Sequence, residues 1–189
     1  MGDSSMSRSP VILKSGPELH ASPGREVKLV GLVSDTHMSS ETLELPQEIM
    51  DVFKGASVII HAGDLVSLKI IEYLEKIAPV VAVHGNVDSQ EVRTRFPAVN
   101  STAVFNWRIG VVHDAGALWG KRGMRRIAQE NGFDVLVFGH THRAFLETGP
   151  VIFINPGSPT EPFPPYLVKP SVGLLRVAQE RIEPSIVEL

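Results

Sequence analysis

Residues 27–37 read Val-Lys-Leu-Val-Gly-Leu-Val-Ser-Asp-Thr-His, an apolar run that stops at a short polar segment. The same pattern recurs four times. Val58-Ile59-Ile60-His61-Ala62 leads to Gly63-Asp64, and residues 80–84 lead to Gly85-Asn86-Val87-Asp88. Ile109-Gly110-Val111-Val112 leads to His113-Asp114, and Leu136-Val137-Phe138 leads to Gly139-His140-Thr141-His142. Short runs rich in β-branched residues are buried strands. Between the first three, residues 46–54 and 68–77 have helical spacing; Ile70, Ile71, Leu74 and Ile77 form one apolar face and Pro79 ends the second helix. The alternation predicts βαβ units and an α/β fold.

Further along, residues 102–112 read as two strands around Asn106-Trp107-Arg108, and 121–131 as a helix closed by Gly132. Strand-like segments then dominate, at 144–148, 151–155, 172–178 and 182–187. The expectation is a parallel half and a more antiparallel half, packed sheet on sheet with helices outside. Residues 156–170 contain six prolines and read as an extended surface loop, including the PxxP match at Pro159 and Pro162. Residues 1–26 mix Ser, Pro and Gly around one apolar cluster, 11–13, and read as a poorly ordered extension; a single domain covers 27–189.

Composition narrows the chemistry. The chain has 189 residues, 43% hydrophobic, and 18 basic against 21 acidic side chains for a net charge of −3. That length supports a core without covalent staples. With no cysteine, disulfides, thiolate catalysis, Cys-based zinc fingers and iron–sulfur clusters are excluded, so a metal must be held by His, Asp, Glu or Asn. No apolar run has the length of a transmembrane helix and the N-terminus lacks the apolar stretch of a signal peptide, so a cytoplasmic protein without membrane contact is expected. The mildly acidic balance argues against bulk nucleic-acid binding while allowing a small phosphate-ester substrate, and is compatible with a homo-oligomer.

In an open α/β sheet, ligands bind beyond the carboxyl ends of the strands, so the five segments deliver Asp, His and Asn to one place. Asp35, His37, Asp64, Asn86, His113, His140 and His142 are too many ligands for one tetrahedral zinc and suit two hard or borderline ions sharing a carboxylate. Asp35 and His37, two apart on an extended segment, can reach one ion together. His20, His61 and His84 are read as core or rim residues.

The ordered series DTH, GD, GNVD, H and GHTH, followed by Ile154-Asn155-Pro156-Gly157-Ser158, resembles the calcineurin-like metallophosphoesterases, specifically their small cap-less phosphodiesterase branch, which includes the retromer-subunit homologue. The resemblance implies a four-layer αββα sandwich of two mixed β-sheets flanked by helices. It implies that Asp35, His37 and His142 hold one ion, that Asp64 bridges to the second, and that Asn86, His113 and His140 complete the second. Manganese is the commonest activating metal in such enzymes, with iron, zinc, nickel and cobalt on similar ligands. The implied reaction is phosphodiester hydrolysis by attack of a metal-bridging hydroxide, with Asn86 also orienting a phosphate oxygen.

Two departures from the family pattern stand out. Val87 occupies the place where many relatives carry a histidine that serves the leaving group. Positioned acid catalysis contributes about 10² to 10⁴ in rate, so slow turnover of poor leaving groups is expected. After His113 stands Asp114-Ala115 in place of the common Gly. Asp88 is read as a site residue acting through hydrogen bonds, Arg143 as a phosphate contact, and the stripe Lys121, Arg122, Arg125 and Arg126 as a solvated face. The competing functions are a protein-interaction scaffold of the retromer-subunit type and a phosphomonoesterase. Complete ligand positions favour the enzyme over the scaffold, and the lack of a capping insertion favours diesters.

Overall fold

The structure, a computed structural model, describes residues 11–13, 26–38, 45–116 and 121–189. Its first sheet contains β1 (Val11–Leu13), β2 (Lys28–Val33), β3 (Ala56–His61), β4 (Val80–Ala82), β10 (Ser171–Val177) and β11 (Ile182–Glu188), in the order β1-β11-β10-β2-β3-β4. The second contains β5 (Val99–Val104), β6 (Trp107–Val112), β7 (Val135–Val137), β8 (Phe145–Glu147) and β9 (Ile152–Asn155), in the order β5-β6-β7-β9-β8. The helices are α1 (Glu48–Val52), α2 (Lys69–Leu74), α3 (Gln90–Arg95) and α4 (Lys121–Asn131).

Strand alternation builds the layers. On β2, Val30 and Leu32 point between the sheets, where they meet Ile109 and Val111 of β6, Val135 and Val137 of β7, and Leu175 of β10. The opposite face of the first sheet, with Val33, Ile59 and Val172, is covered by Ile49, Phe53, Ile70, Leu74 and Val92 from α1 to α3 and their flanks. The opposite face of the second, with Val112, Leu136 and Phe153, is covered by Met124 and Ala128 of α4 and by Phe133. The order helix, sheet, sheet, helix gives the four-layer sandwich expected, each sheet apolar on both faces.

The division into a parallel and an antiparallel half is corrected. Parallel pairs occur in both sheets, β2-β3-β4 in the first and β6-β7-β9 in the second, and each sheet closes with antiparallel partners. Apolar periodicity identifies a strand but not its neighbours. The helix α3 was not expected either. It has six residues with only Val92 buried, too few for a visible stripe, and its signal is Ser89, whose Oγ accepts the Val92 N–H at 3.4 Å. Within the stretch read as an extension, Val11–Leu13 pairs antiparallel with β11 at the edge of the first sheet; His20 lies outside the described residues.

What this arrangement achieves is positional. The parallel strands β2, β3, β4, β6, β7 and β9 all end at one edge of the sandwich, so their polar segments converge there. The second sheet also approaches its covering layer closely: a Cβ on Gly110 of β6 would lie 2.1 Å from Phe133 Cδ2. Gly110→Val should therefore lower stability by about 1–3 kcal/mol through overpacking, read as a denaturant midpoint, and Phe133→Leu should restore part of the loss. An unchanged midpoint in Gly110→Val would contradict this packing.

Candidate metal centre

The loops at the strand ends are tightly bent. Asp35, His37, Asp64, His140 and His142 have positive φ, between 46° and 70°. Side chains other than glycine rarely adopt this region, at a cost of roughly 1 kcal/mol or more each. Close approach between loops adds a second demand: a Cβ at Gly139 would stand 1.9 Å from Ser34 Oγ, and one at Gly85 2.0 Å from Asp64 Oδ1. These glycines let the β7 and β4 loops close upon the carboxylates of the β2 and β3 loops.

Two groups of donor atoms result. In the first, Asp35, His37, Asp64 and His142 bring ligand atoms within 4.8 Å of one another. His37 Nε2 is 3.1 Å from His142 Nε2 and 3.6 Å from Asp64 Oδ2, and His142 Nε2 is 3.5 Å from Asp35 Oδ1. In the second, His113 Nε2 lies 3.2 Å from Asp64 Oδ2 and 2.8 Å from Asn86 Oδ1, while His140 Nδ1 lies 2.9 Å from Asn86 Oδ1. Asp64 Oδ2 belongs to both groups. All seven residues read from the sequence as ligands are brought together.

The hydrogen bonds around the rings say what the site is built to hold. His113 Nδ1 is 2.8 Å from the Ala62 carbonyl and His142 Nδ1 is 2.7 Å from the Glu161 carbonyl. A carbonyl can only accept, so each Nδ1 carries the proton and each neutral ring turns its Nε2 lone pair inward. Those lone pairs face a carboxylate oxygen, and that of His113 faces Asn86 Oδ1 as well. Acceptors facing acceptors need a cation between them. Protons alone meet that need partly: burial works against a charged His113 ring, but the hydrogen bond and charge of Asp64 raise its pKa above the ordinary value. Burial would lift Asp64, yet His113, the Val87 N–H and His37 hold it below the ordinary carboxylate value. Asp35 is raised, mainly by burial, and its carboxylate oxygens accept the His140 N–H at 3.1 and 3.0 Å. Oxygen and imidazole donors in this number fit divalent cations.

Several residues hold the loops without joining the donor groups. Asp88 is buried, and its carboxylate accepts N–H bonds from Gly85 at 2.6 Å, Val66 at 2.6 Å and Asp64 at 3.0 Å, tying the β4 loop to the β3 loop. Arg93 of α3 donates from Nη2 to the Asn86 carbonyl at 2.7 Å and from Nε to the Asp88 carbonyl at 2.9 Å. The segment after β9 does similar work. Asn155 Nδ2 donates to the Gly139 carbonyl at 2.8 Å and to Thr141 Oγ1 at 3.1 Å, and Ser158 Oγ donates to the Asp35 carbonyl at 2.7 Å. The positioning roles of Arg93, Asn155 and Ser158 escaped the sequence reading. The signal available was Asn-Pro-Gly-Ser at the end of another apolar run.

Arg143 is exposed beside His142, and among the described residues its guanidinium makes no hydrogen bond or ion pair. Asp114 is exposed and accepts the Gly116 N–H at 2.7 Å, a local turn contact. Lys121 pairs with Glu147, and Arg126 with Glu130 at 3.9 Å, on the outer side of α4. His84 is half-buried at the rim. His61 is fully buried; its Nδ1 accepts the Gly63 N–H at 3.2 Å, so its Nε2–H donates to Thr36 Oγ1 at 3.2 Å.

Residues 29–180 match the calcineurin-like phosphoesterase superfamily domain, and the chain belongs to that superfamily. It is 36% identical over 163 residues to a probable metallophosphoesterase of Methanothermobacter thermautotrophicus, spanning 84% of this chain and 91% of that one. It is 29% identical over 171 residues to a phosphodiesterase of Methanocaldococcus jannaschii, spanning 84% of this chain and 99% of the other. Among solved structures, vacuolar protein sorting 29 of Cryptosporidium parvum aligns with a TM-score of 0.74 at 25% identity, covering 86% of this chain and 92% of that one. These relatives place the chain in the small cap-less branch, as a phosphoesterase that uses divalent metal. No helix among the described residues is long and apolar enough to cross a membrane.

Asp88→Asn exchanges a carboxylate oxygen for an amide donor facing backbone N–H groups, and should weaken metal binding about 10- to 100-fold; calorimetric titration with Mn2+ measures it, and wild-type affinity would contradict the positioning role. Burial holds the His61 imidazole down at about 3, whereas in the unfolded chain it takes a proton near 6.5. Between those values the unfolded state binds more protons, so this contribution to stability is complete above about pH 6.5 and is lost as pH falls. In metal-free protein, the denaturation midpoint should therefore drop more steeply from pH 7 to pH 5 in wild type than in His61→Gln; parallel curves would rule out His61 as the source.

Proposed function

We propose that the protein hydrolyses phosphodiesters at a centre of two divalent ions, manganese being the metal of first choice. The observation that carries this reading is the position of Asp64 Oδ2, 3.6 Å from His37 Nε2 and 3.2 Å from His113 Nε2, shared by two complete groups of donors. Asp35, His37, Asp64 and His142 would hold one ion, and Asp64, Asn86, His113 and His140 the other. When bound, such a pair supplies Lewis acidity to phosphate oxygens and acidifies a water near neutral pH.

The chain's own residues then orient the substrate. With Asn86 Oδ1 directed at His113 and His140, its amide N–H groups are left to donate to a phosphate oxygen. The exposed guanidinium of Arg143, next to His142, can take another oxygen of the same phosphate. Asp88 acts through backbone, holding the Gly85 and Asp64 amides in place. Val87 is 48% exposed and presents only methyl groups where a proton donor would stand. Good leaving groups should therefore react fastest. The diester preference is supported by the phosphodiesterase relative and by the absence of a covering element over the cleft among the described residues. Structural kinship with vacuolar protein sorting 29 gives a scaffold reading its footing, but the seven converging donor residues favour the enzyme.

Wild-type protein, stripped with chelator and reloaded with Mn2+, should hydrolyse bis-p-nitrophenyl phosphate faster than p-nitrophenyl phosphate, and Asp64→Asn should fall to background. Equal activity in Asp64→Asn, or no turnover with any of Mn, Fe, Zn, Ni or Co, would overturn the reading. Val87→His should raise kcat selectively on diesters of poorly leaving alcohols, by up to about 10²-fold, as measured on diesters graded by leaving-group pKa.

A further inference from the structure

Beside the second donor group lies a cavity of about 360 Å³ that shares Asn86 and His113 with it. Its far wall is aliphatic. Val99 of β5 and Val112 of β6 are cross-strand partners, joined there by Ala98 and by Ile127 of α4. Val99 is 45% exposed, so its methyl groups are open to a ligand in the cavity. Among the polar side chains of the wall, Arg93 donates to the Asn86 and Asp88 carbonyls at 2.7 and 2.9 Å, Asp114 accepts the Gly116 N–H at 2.7 Å, and His84 Nδ1 lies 3.3 Å from the Gly85 carbonyl. With Ala98, Val99, Val112 and Ile127 in its wall, the surface the cavity presents to a ligand is chiefly hydrocarbon.

We infer that this cavity binds one ester arm of the substrate, and that the arm carries a flat aromatic ring. This rests on the phosphodiesterase reading. Asn86 and His113 belong both to the donor group and to the cavity wall, so a group seated against Val99 and Val112 is within covalent reach of a phosphate at the centre. A cavity of about 150 Å³ with apolar walls accommodates benzene, and this one has room for a substituted or fused ring. A wall of four aliphatic side chains selects by shape and apolar contact more than by hydrogen bonding. A phosphomonoester with a small aliphatic alcohol would leave the cavity empty.

The test uses the full chain loaded with Mn2+ and two variants. Val99→Asp places a charge on the wall at an exposed position, and Ala98→Trp fills the cavity from another exposed position; circular dichroism verifies the fold of each. Both should raise KM for bis-p-nitrophenyl phosphate about tenfold while kcat stays within twofold. Inhibition by inorganic phosphate, which has no ester arm, should be unaffected in Ala98→Trp, which adds no charge beside the centre. Wild-type KM in both folded variants would overturn the inference. A second measurement is independent of turnover: titration of metal-free wild-type protein with phenol, followed by methyl NMR. Shifts at Val99, Val112 and Ile127 in wild type, with those of Val112 and Ile127 lost in Val99→Asp, support a ring site, and no shift at these methyls overturns it. If wild type turns over no diester yet phenol shifts those methyls, the phosphodiesterase reading fails while the ring site stands.

Discussion

The carboxylate of Asp64 is only 2% exposed and faces an imidazole on each side, His37 at 3.6 Å and His113 at 3.2 Å. A buried charge in that position is tolerable only if it is compensated. Most of the local structure follows from the need to hold it there. The Val87 N–H donates to its Oδ1 at 3.0 Å, Asp88 grips its own backbone N–H, and Gly85 leaves room for the carboxylate oxygen that a Cβ would displace. His113, fixed from behind by the Ala62 carbonyl, offers one inward nitrogen and no choice of which. Remove Asp64 and the two donor groups become separate, incomplete sets.

Rigidity comes from the two sheets. A run such as Val30 to Val33 is buried on both faces, so each strand end is fixed by packing as well as by polar contacts. The left-handed turns at Asp35, His37, Asp64, His140 and His142 are the counterpart of that order. They store strain at the one edge where side chains must be aimed inward, and the surrounding core and hydrogen bonds offset it. A looser scaffold would relax those turns and scatter the ligands.

Much of this was legible in the residues. The strand runs, the helices around residues 48–52, 69–74 and 121–131, and the convergence of Asp35, His37, Asp64, Asn86, His113, His140 and His142 all follow from apolar period and from polar residues at run ends. Strand neighbours were not legible, because β6, β7 and β9 carry the same Val- and Ile-rich pattern as β2 and β3, and pairing is decided by the packing of whole layers. Nor were the backbone-mediated supports. Arg93 acts on two carbonyls, and Glu161 orients His142 through its main chain across 19 residues, contacts that leave no residue-type signature. Asn155 and Ser158 left one, an Asn-Pro-Gly-Ser segment closing a strand, whose mechanical meaning appears only with the β2 and β7 loops beside it.

The central claim is that one shared carboxylate organises two ion sites. Anomalous diffraction from crystals soaked in Mn2+, recorded above and below the manganese edge, addresses it directly. The account predicts two peaks, one among Asp35, His37, Asp64 and His142 and one among Asp64, Asn86, His113 and His140, with Asp64 contacting both. A single peak at saturating metal, or two peaks with Asp64 bound to only one of them, would contradict it.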